Sequence, residues 1–313
     1  MKILITGGAG FIASHVADAY LDAGHHVVIV DNLSTGSRDN LNPRAKFYEC
    51  DICAPALEDI FANEQPDIVN HHAAQVSVPL SIEDPLQDAE VNVKGLINVL
   101  QNCVKHNVRK VIFISSGGAI YGEATEYPTT ETYAPTPLSV YAINKLAGEE
   151  YLHFYHHQYG LNYTVLRYAN VYGPRQVSHG EAGVVSLFIE KLIHDKAPTL
   201  YAYPDAPEGM IRDYVYVLDA VRANVAVLEA GDNDVFNIGT CVETTTLLLY
   251  KTLLLQLGKQ IRPHTGPARM GDLKRSLLDC SKAFRELGWS PIYTLDQGIR
   301  ETIAYFLNKK DKA

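Results

Sequence analysis

The chain has 313 residues, of which 47% are hydrophobic and 20% charged, and its formal charge is −9. That length fits one large α/β domain or a nucleotide-binding domain with a smaller lobe, and an acidic balance without a basic block excludes broad electrostatic binding to nucleic acid. Five cysteines, at 50, 53, 103, 241 and 280, do not form the framework of a small secreted protein, and no apolar run reaches membrane-spanning length.

In chain order, MKILIT opens on a strand, Ile3 to Thr6, rather than on a charged and then apolar leader, so the cytoplasm is the expected location. The strand runs into Thr6-Gly7-Gly8-Ala9-Gly10-Phe11-Ile12-Ala13, a GxxGxxA spacing that opens a helix predicted over Phe11 to Ala23. Gly7 permits the tight turn. Gly10 lets the backbone approach a pyrophosphate whose charge rests on the helix N-terminus, and Ala13 is small enough for close helix-strand packing. A second strand, His26 to Val30, ends at Asp31. A carboxylate there accepts hydrogen bonds from both hydroxyls of an adenosine ribose and repels a 2′-phosphate, which favours NAD over NADP. The blander reading has Asp31 cap the loop Asn32-Leu33-Ser34-Thr35-Gly36.

A third strand, Lys46 to Cys50, leads to Asp51 and Ile52, placed either to border an adenine or to make a turn. Cys50-Asp51-Ile52-Cys53 has the spacing of a half-zinc or redox motif, but no second CxxC follows, so no metal is expected. A strand at Asp67 to Asn70, a helix at Val91 to His106 and a strand at Lys110 to Ser115 continue the alternation. The last strand breaks into Ser115-Ser116-Gly117-Gly118, where side chains disappear just after two hydroxyls. In an open α/β sheet this strand end is where ligands bind.

The helix predicted over Leu138 to Tyr159 carries Tyr141 and Lys145 at i and i+4, on one face. A phenol near pKa 10 becomes a base at neutral pH only beside positive charge, and lowering it by about 3 units costs roughly 4 kcal/mol. Lys145 and an oxidised nicotinamide ring are the candidates to supply it. On the same helix His153 and His157 share zinc-ligand spacing without an HExxH motif, so a solvated or interface face is expected. A strand at Leu161 to Arg167 follows, and Tyr172-Gly173-Pro174 marks a boundary. Beyond it a helix is read at 182–194, then short strands, a helix at 218–230, and helices at 244–257 and 294–308. The expected fold is α/β, a doubly wound parallel Rossmann sheet with a smaller, discontinuous C-terminal lobe. Residues 1–172, with parts of 211–240 returning, form its NAD-binding domain; residues 173–210 and 241–313 form the lobe for the substrate.

From residue 1 to about 285, the segments TGGAGFIASH, DNLSTG, HHAAQVSV, SSGGAIYGE, YAINK, RYANVYGPRQ, RDYVYVLD and NIGT follow one family's order. The chain resembles an extended short-chain dehydrogenase/reductase of the UDP-glucose 4-epimerase type. The resemblance implies that Tyr141 takes the proton of the sugar 4-hydroxyl while C4 gives its hydride to NAD, and that Lys145 holds the nicotinamide ribose and keeps Tyr141 ionised. It extends the cofactor site to Phe11, Ile12, Asn32, Ser34, Thr35, Gly36, His72, Ala73, Ala74, Ser115 and Tyr168. It assigns the sugar nucleotide to Gly117, Gly118, Asn170, Arg212, Arg269 and Asp272, with Arg175, Gln176 and the 178–186 loop nearby. Arg suits a diphosphate because its planar fork pairs with two oxygens. Surface salt bridging is the alternative for each arginine, and loop setting for Asn170 and Tyr168.

Related dehydratases and decarboxylases carry an acid where this chain has Gly118 and Ala119, so elimination and decarboxylation are disfavoured. Gly117 stands where such epimerases carry a Ser or Thr that bridges sugar and tyrosine. Its loss is worth about 1–3 kcal/mol if nothing replaces it, and Ser116 turned inward, or a water, is expected in its place. Ser276 stands where a tyrosine elsewhere excludes N-acetyl groups, so acetamido sugars are expected to fit. UDP-glucuronate is a rival substrate, and a non-catalytic NAD sensor a rival class. The helices at 91–106 and 141–158 are expected to form a homodimer interface, unless burial within one chain accounts for them.

Overall fold

The computed structural model describes residues 1–177, 183–269 and 271–310. The first half runs β1 (Lys2–Thr6), α1 (Phe11–Asp22), β2 (His26–Asp31), β3 (Lys46–Glu49), α2 (Leu57–Glu64), β4 (Ile68–His71), α3 (Val78–Glu83), α4 (Pro85–Ala89), α5 (Leu96–Lys105), β5 (Lys110–Ser116), α6 (Gly117–Ile120), α7 (Val140–Tyr159) and β6 (Asn162–Tyr168). The second half runs β7 (Asn170–Tyr172), α8 (Val184–Ile193), β8 (Thr199–Ala202), β9 (Ile211–Arg212), β10 (Tyr214–Tyr216), α9 (Val217–Ala226), β11 (Asp234–Ile238), β12 (Thr244–Thr245), α10 (Thr246–Leu257), β13 (His264–Pro267), α11 (Ser281–Leu287) and α12 (Leu295–Lys310).

Seven strands pair in parallel in the order β11-β6-β5-β4-β1-β2-β3. Their interiors are continuously apolar because both faces are covered. On one face Ala13, Val16, Ala17 and Tyr20 of α1 pack with Ala220 and Ala223 of α9. On the other, Phe61 of α2, Leu100 of α5 and Leu152 of α7 pack over Val69 and Val111. A third core joins Phe188 of α8, Leu253 of α10, Ile299 and Phe306 of α12, and Tyr172 and Tyr216. Winding reverses between β1 and β4, so the crevice for a ligand opens at Thr6 and His71, which are paired in register.

Several element ends differ from the sequence expectation. The helix expected from 218 to 230 stops at Ala226. Lys110 Nζ takes the carbonyls of Val227 and Ala230, each at 2.6 Å, and pairs with Asp232, which turns the chain into β11. β11 is the part of 211–240 that joins the main sheet, whereas β9 and β10 pair with β12 and β7. The helix expected from Val91 begins as a π-helical stretch, Glu90–Gly95, where Asn92 turns its carboxamide onto the backbone of Gln75. The helix expected from Leu138 begins at Val140, because the Ser139 side chain caps it by accepting from the Ala142 N–H. α2, unforeseen, is short, though Leu57, Ile60 and Phe61 have the spacing of a buried helical face. Residue 182 of the helix expected at 182–194 lies outside the described residues, and α8 starts at Val184. No helix among the described residues is long and apolar enough to cross a membrane.

Candidate active site

At the carboxyl end of β1 the chain turns through Gly7, whose φ is +71° and whose N–H donates to the Val30 carbonyl at 2.8 Å. A Cβ on Gly7 would lie 2.7 Å from the Ala73 nitrogen, so the His72-Ala73 backbone is pressed against this turn. α1 starts at Gly10 with no side-chain cap, which leaves its first N–H groups for an anion. Asp31 is buried beside the loop; its carboxylate accepts from the N–H groups of Ala9, at 3.0 Å, and Leu33, at 2.7 Å. Burial raises its pKa against those two hydrogen bonds. Asn32 donates to Asp51 at 2.8 Å and accepts from the Ser34 N–H, and Gly36 folds onto Ala9 and Asp31.

These positions fit a dinucleotide: an uncapped helix start, a turn with no room for a side chain, and a buried carboxylate at the end of β2. His72 adds a buried Nε2 without a hydrogen-bond partner, and burial keeps both His71 and His72 neutral, at about 3. The Ile52 side chain is buried in the core against Gly95, which leaves its backbone and Asp51 at that border.

Tyr141 sits in the first turn of α7, its N–H donating to Ser81 Oγ at 3.1 Å. Its hydroxyl shares a hydrogen bond with Ser116; burial nevertheless pushes its pKa up to about 12, and the negative charge of Asp88 adds to that. One turn on, Lys145 Nζ donates to the Ile114 carbonyl at 2.9 Å and lies 5.9 Å from the Tyr141 ring centroid. Burial lowers Lys145 to about 8, opposed by Asp88 and Glu149. A cationic ammonium is thus held beneath a phenol that needs positive charge to ionise.

The two serines of β5 part company. Ser116 meets Tyr141, as expected of a replacement hydroxyl. Ser115, expected at the cofactor, instead donates to Glu149 Oε1 at 2.5 Å inside a buried network. There Arg167 pairs with Glu149 at 2.6 Å and donates to the Tyr121 hydroxyl at 2.7 Å. Tyr168, also expected at the cofactor, has its side chain buried in the core, and its hydroxyl accepts from the Asn224 amide. At Gly117 a Cβ would lie 2.6 Å from the end of the Leu278 side chain and 3.2 Å from the Arg167 carbonyl oxygen, so a side chain there would point at packed protein and Leu278 would have to shift.

A cavity of about 370 Å³ opens beside Tyr141 and Ser116 and brings together Gly118, Asn170, Arg212, Arg269 and Asp272 from distant segments. Arg212 is largely buried, which lowers its pKa against the pull of Tyr214 and Asp272. Arg269 lies over the Tyr201 ring at 4.8 Å and pairs with Asp272 at 3.1 Å. Gly118 faces the Asn170 side chain, 3.5 Å from its virtual Cβ, with Ser276 Oγ at 4.0 Å. Arg175 pairs instead with Asp18 at 2.8 Å and Gln176 donates to the Val171 carbonyl, while residues 178–182 of the expected loop lie outside the described residues. Ser77, Ser139, Tyr201, Met210 and Thr246 also line the cavity and were not foreseen. Ser139, just before the YxxxK helix, had the one local signal. A second cavity of about 290 Å³, around Cys241, Cys280 and Trp289, holds none of the expected site residues. His153 and His157 are exposed on α7, and no group of three metal-ligating side chains occurs among the described residues.

A profile of the NAD dependent epimerase/dehydratase family matches residues 3–239, and the chain belongs to that family. Three solved structures superpose on it almost entirely. A UDP-glucose 4-epimerase from Thermotoga maritima, solved with UDP-glucose, is 47% identical, with 99% of this chain and 100% of that one covered and a TM-score of 0.96. A UDP-glucose 4-epimerase from Thermus thermophilus, solved with NAD, is 42% identical over 98% and 99% of the two chains, with a TM-score of 0.94. A UDP-N-acetylglucosamine 4-epimerase from Methanobrevibacter ruminantium, in complex with UDP-N-acetylmuramic acid, is 34% identical over 98% of each chain, with a TM-score of 0.92.

Proposed function

We propose that the protein is an NAD-dependent 4-epimerase that interconverts UDP-glucose and UDP-galactose. The observation that carries this is a cavity lined by Tyr141 and Ser116 together with Arg212 and Arg269, with Lys145 buried one turn behind Tyr141. Gly7, Gly10, Asp31, Asp51 and His72 would hold NAD, which when bound supplies a hydride acceptor at C4 and returns the hydride. Tyr141 removes the 4-hydroxyl proton, with Ser116 hydrogen-bonded between phenol and sugar. Each unit by which the phenol falls from about 12 is worth about 1.4 kcal/mol of added positive charge; with Lys145 already in place, the oxidised nicotinamide ring would supply it. The cavity would let the 4-keto sugar turn over, and once its other face is reduced Tyr141 would return the proton to the sugar oxygen. Arg212 and Arg269 keep the diphosphate in place meanwhile. Gly118 and Ala119 present no acid, which leaves elimination without a proton donor.

Ser276 Oγ lies 4.0 Å from where a Gly118 Cβ would be, and a serine there in place of a bulky tyrosine supports turnover of UDP-N-acetylglucosamine as well. In this reading residues 1–172 with β11 carry the cofactor, and residues 173–210 and 241–313 carry the sugar nucleotide. Ile143 and Phe154, 51% and 49% exposed on α7, support a homodimer through that helix. NMR of purified protein with UDP-glucose tests the activity: galactose-configured product is expected, and NAD retention without interconversion would mark a sensor instead. Light scattering reads the dimer.

A further inference from the structure

The chemistry above uses Tyr141, Lys145 and Ser116, but a fully buried carboxylate close to them has no part in it. Asp88, in α4, is 0% exposed. Its Oδ1 accepts from Asn144 Nδ2 at 2.7 Å and Asn92 Nδ2 at 3.0 Å, and its Oδ2 accepts from Gln75 Nε2 at 2.6 Å. All three partners are neutral carboxamides, which satisfy the lone pairs without neutralising the charge.

The partners are well placed. Asn144 lies on α7 between Tyr141 and Lys145. Gln75 also donates to the Ser77 carbonyl at 2.9 Å and its backbone is held by Asn92, so it fixes the turn at Val76 and Ser77 that walls the cavity. A carboxylate buried this fully is costly unless its field is used. The groups facing Lys145 are Tyr141 and Glu149 from α7, the Phe113 ring and Ile114 carbonyl from β5, and neutral His71 and His72 at the end of β4 and just beyond it. Asp88 is the first of the two negative charges that oppose the desolvation of its ammonium.

We propose that Asp88 is a positioning residue for the Tyr141–Lys145 pair: through Asn144, Asn92 and Gln75 its carboxylate ties α7 to the cavity wall. This rests on the Tyr141–Lys145 reading given above. The sign of the accompanying electrostatic effect follows from the charges. Removing the negative charge lowers the pKa of Lys145 and of Tyr141 together, so the acid limb of activity, set by the phenol, and the alkaline limb, set by the ammonium, both move down.

The experiment follows the 13Cε resonance of Lys145 during a pH titration of the purified protein without sugar, the signal being assigned by its loss in Lys145→Met. The midpoint is expected near 8 in the wild type, and lower by at least about half a pH unit in Asp88→Asn. The alkaline limb of kcat is expected to shift with it while KM for UDP-glucose changes less than about twofold. An unmoved midpoint overturns the proposal whether or not the protein epimerises sugars, so it fails separately from the functional reading. Should Asp88→Asn not fold, Asn144→Ala, which cuts the tie to α7, decides. With the charge still in place, it is expected to lower kcat about fivefold with KM for UDP-glucose within about twofold, and a wild-type kcat overturns the proposal.

Discussion

The two sides of the β5 terminus are built from the same residue type and behave as opposites. On the side of Ser115, the hydroxyl, Glu149, Arg167 and Tyr121 form a buried network that passes on to Asn237. On the side of Ser116, the hydroxyl and Tyr141 face a cavity with Lys145 buried behind them, and the phenol is held far from the ionisation it needs. One side uses buried charge to fix α7 against the sheet. The other uses the position so fixed to do chemistry. Adjacent residues at a strand end can thus divide structure from function, because the chain leaves the strand between them.

The largest effect is expected from Tyr141→Phe, which should cut kcat at least about a thousandfold with NAD binding intact by calorimetry; a variant turning over near wild type would remove the base from the cleft side. Glu149→Gln strikes the other side by leaving Arg167 buried without its counter-charge. A loss of about 3–5 kcal/mol is expected in denaturant unfolding, and a fully stable variant would remove the structural role from that side. Gly117→Ser lies on the border between the two. It puts back a hydroxyl at the family's usual position, yet Leu278 and Arg167 leave it no space, so about 1–3 kcal/mol of stability should be lost with no gain in kcat. Ser116→Ala should lower kcat about tenfold while leaving the melting temperature in place. Ser115→Ala should do the reverse, costing about 1 kcal/mol of stability and leaving kcat within about twofold. If those two serine variants behaved alike, the division between the sides would be wrong.

Much of this was legible where the signal was local. The glycine turn, Asp31 at the end of β2 and the Tyr141–Lys145 pair are spacings within one βα unit or one helix, and the structure sets them where such spacings imply. What the sequence left open was orientation. Ser115 and Tyr168 come to the cofactor site through the resemblance and Ile52 through its place just past β3, whereas a side chain's face depends on the element packed against it, here α7, α9 and Gly95. Gly117 comes to the sugar through the same resemblance, and the residue packed where its side chain would point, Leu278, is far along the chain. The cavity's unforeseen residues, such as Tyr201 and Thr246, come from short segments without periodicity.

Leu278 also sets an order of events in the making of the protein. Asp279 and Leu277 bond to Thr129, and Leu278 packs with Ile120 and Tyr121 beneath the β5 terminus. The floor under Ser116 therefore leaves the ribosome well after Tyr141 and the cofactor turn. A nascent chain that has synthesised all its catalytic side chains still lacks the ground on which they stand.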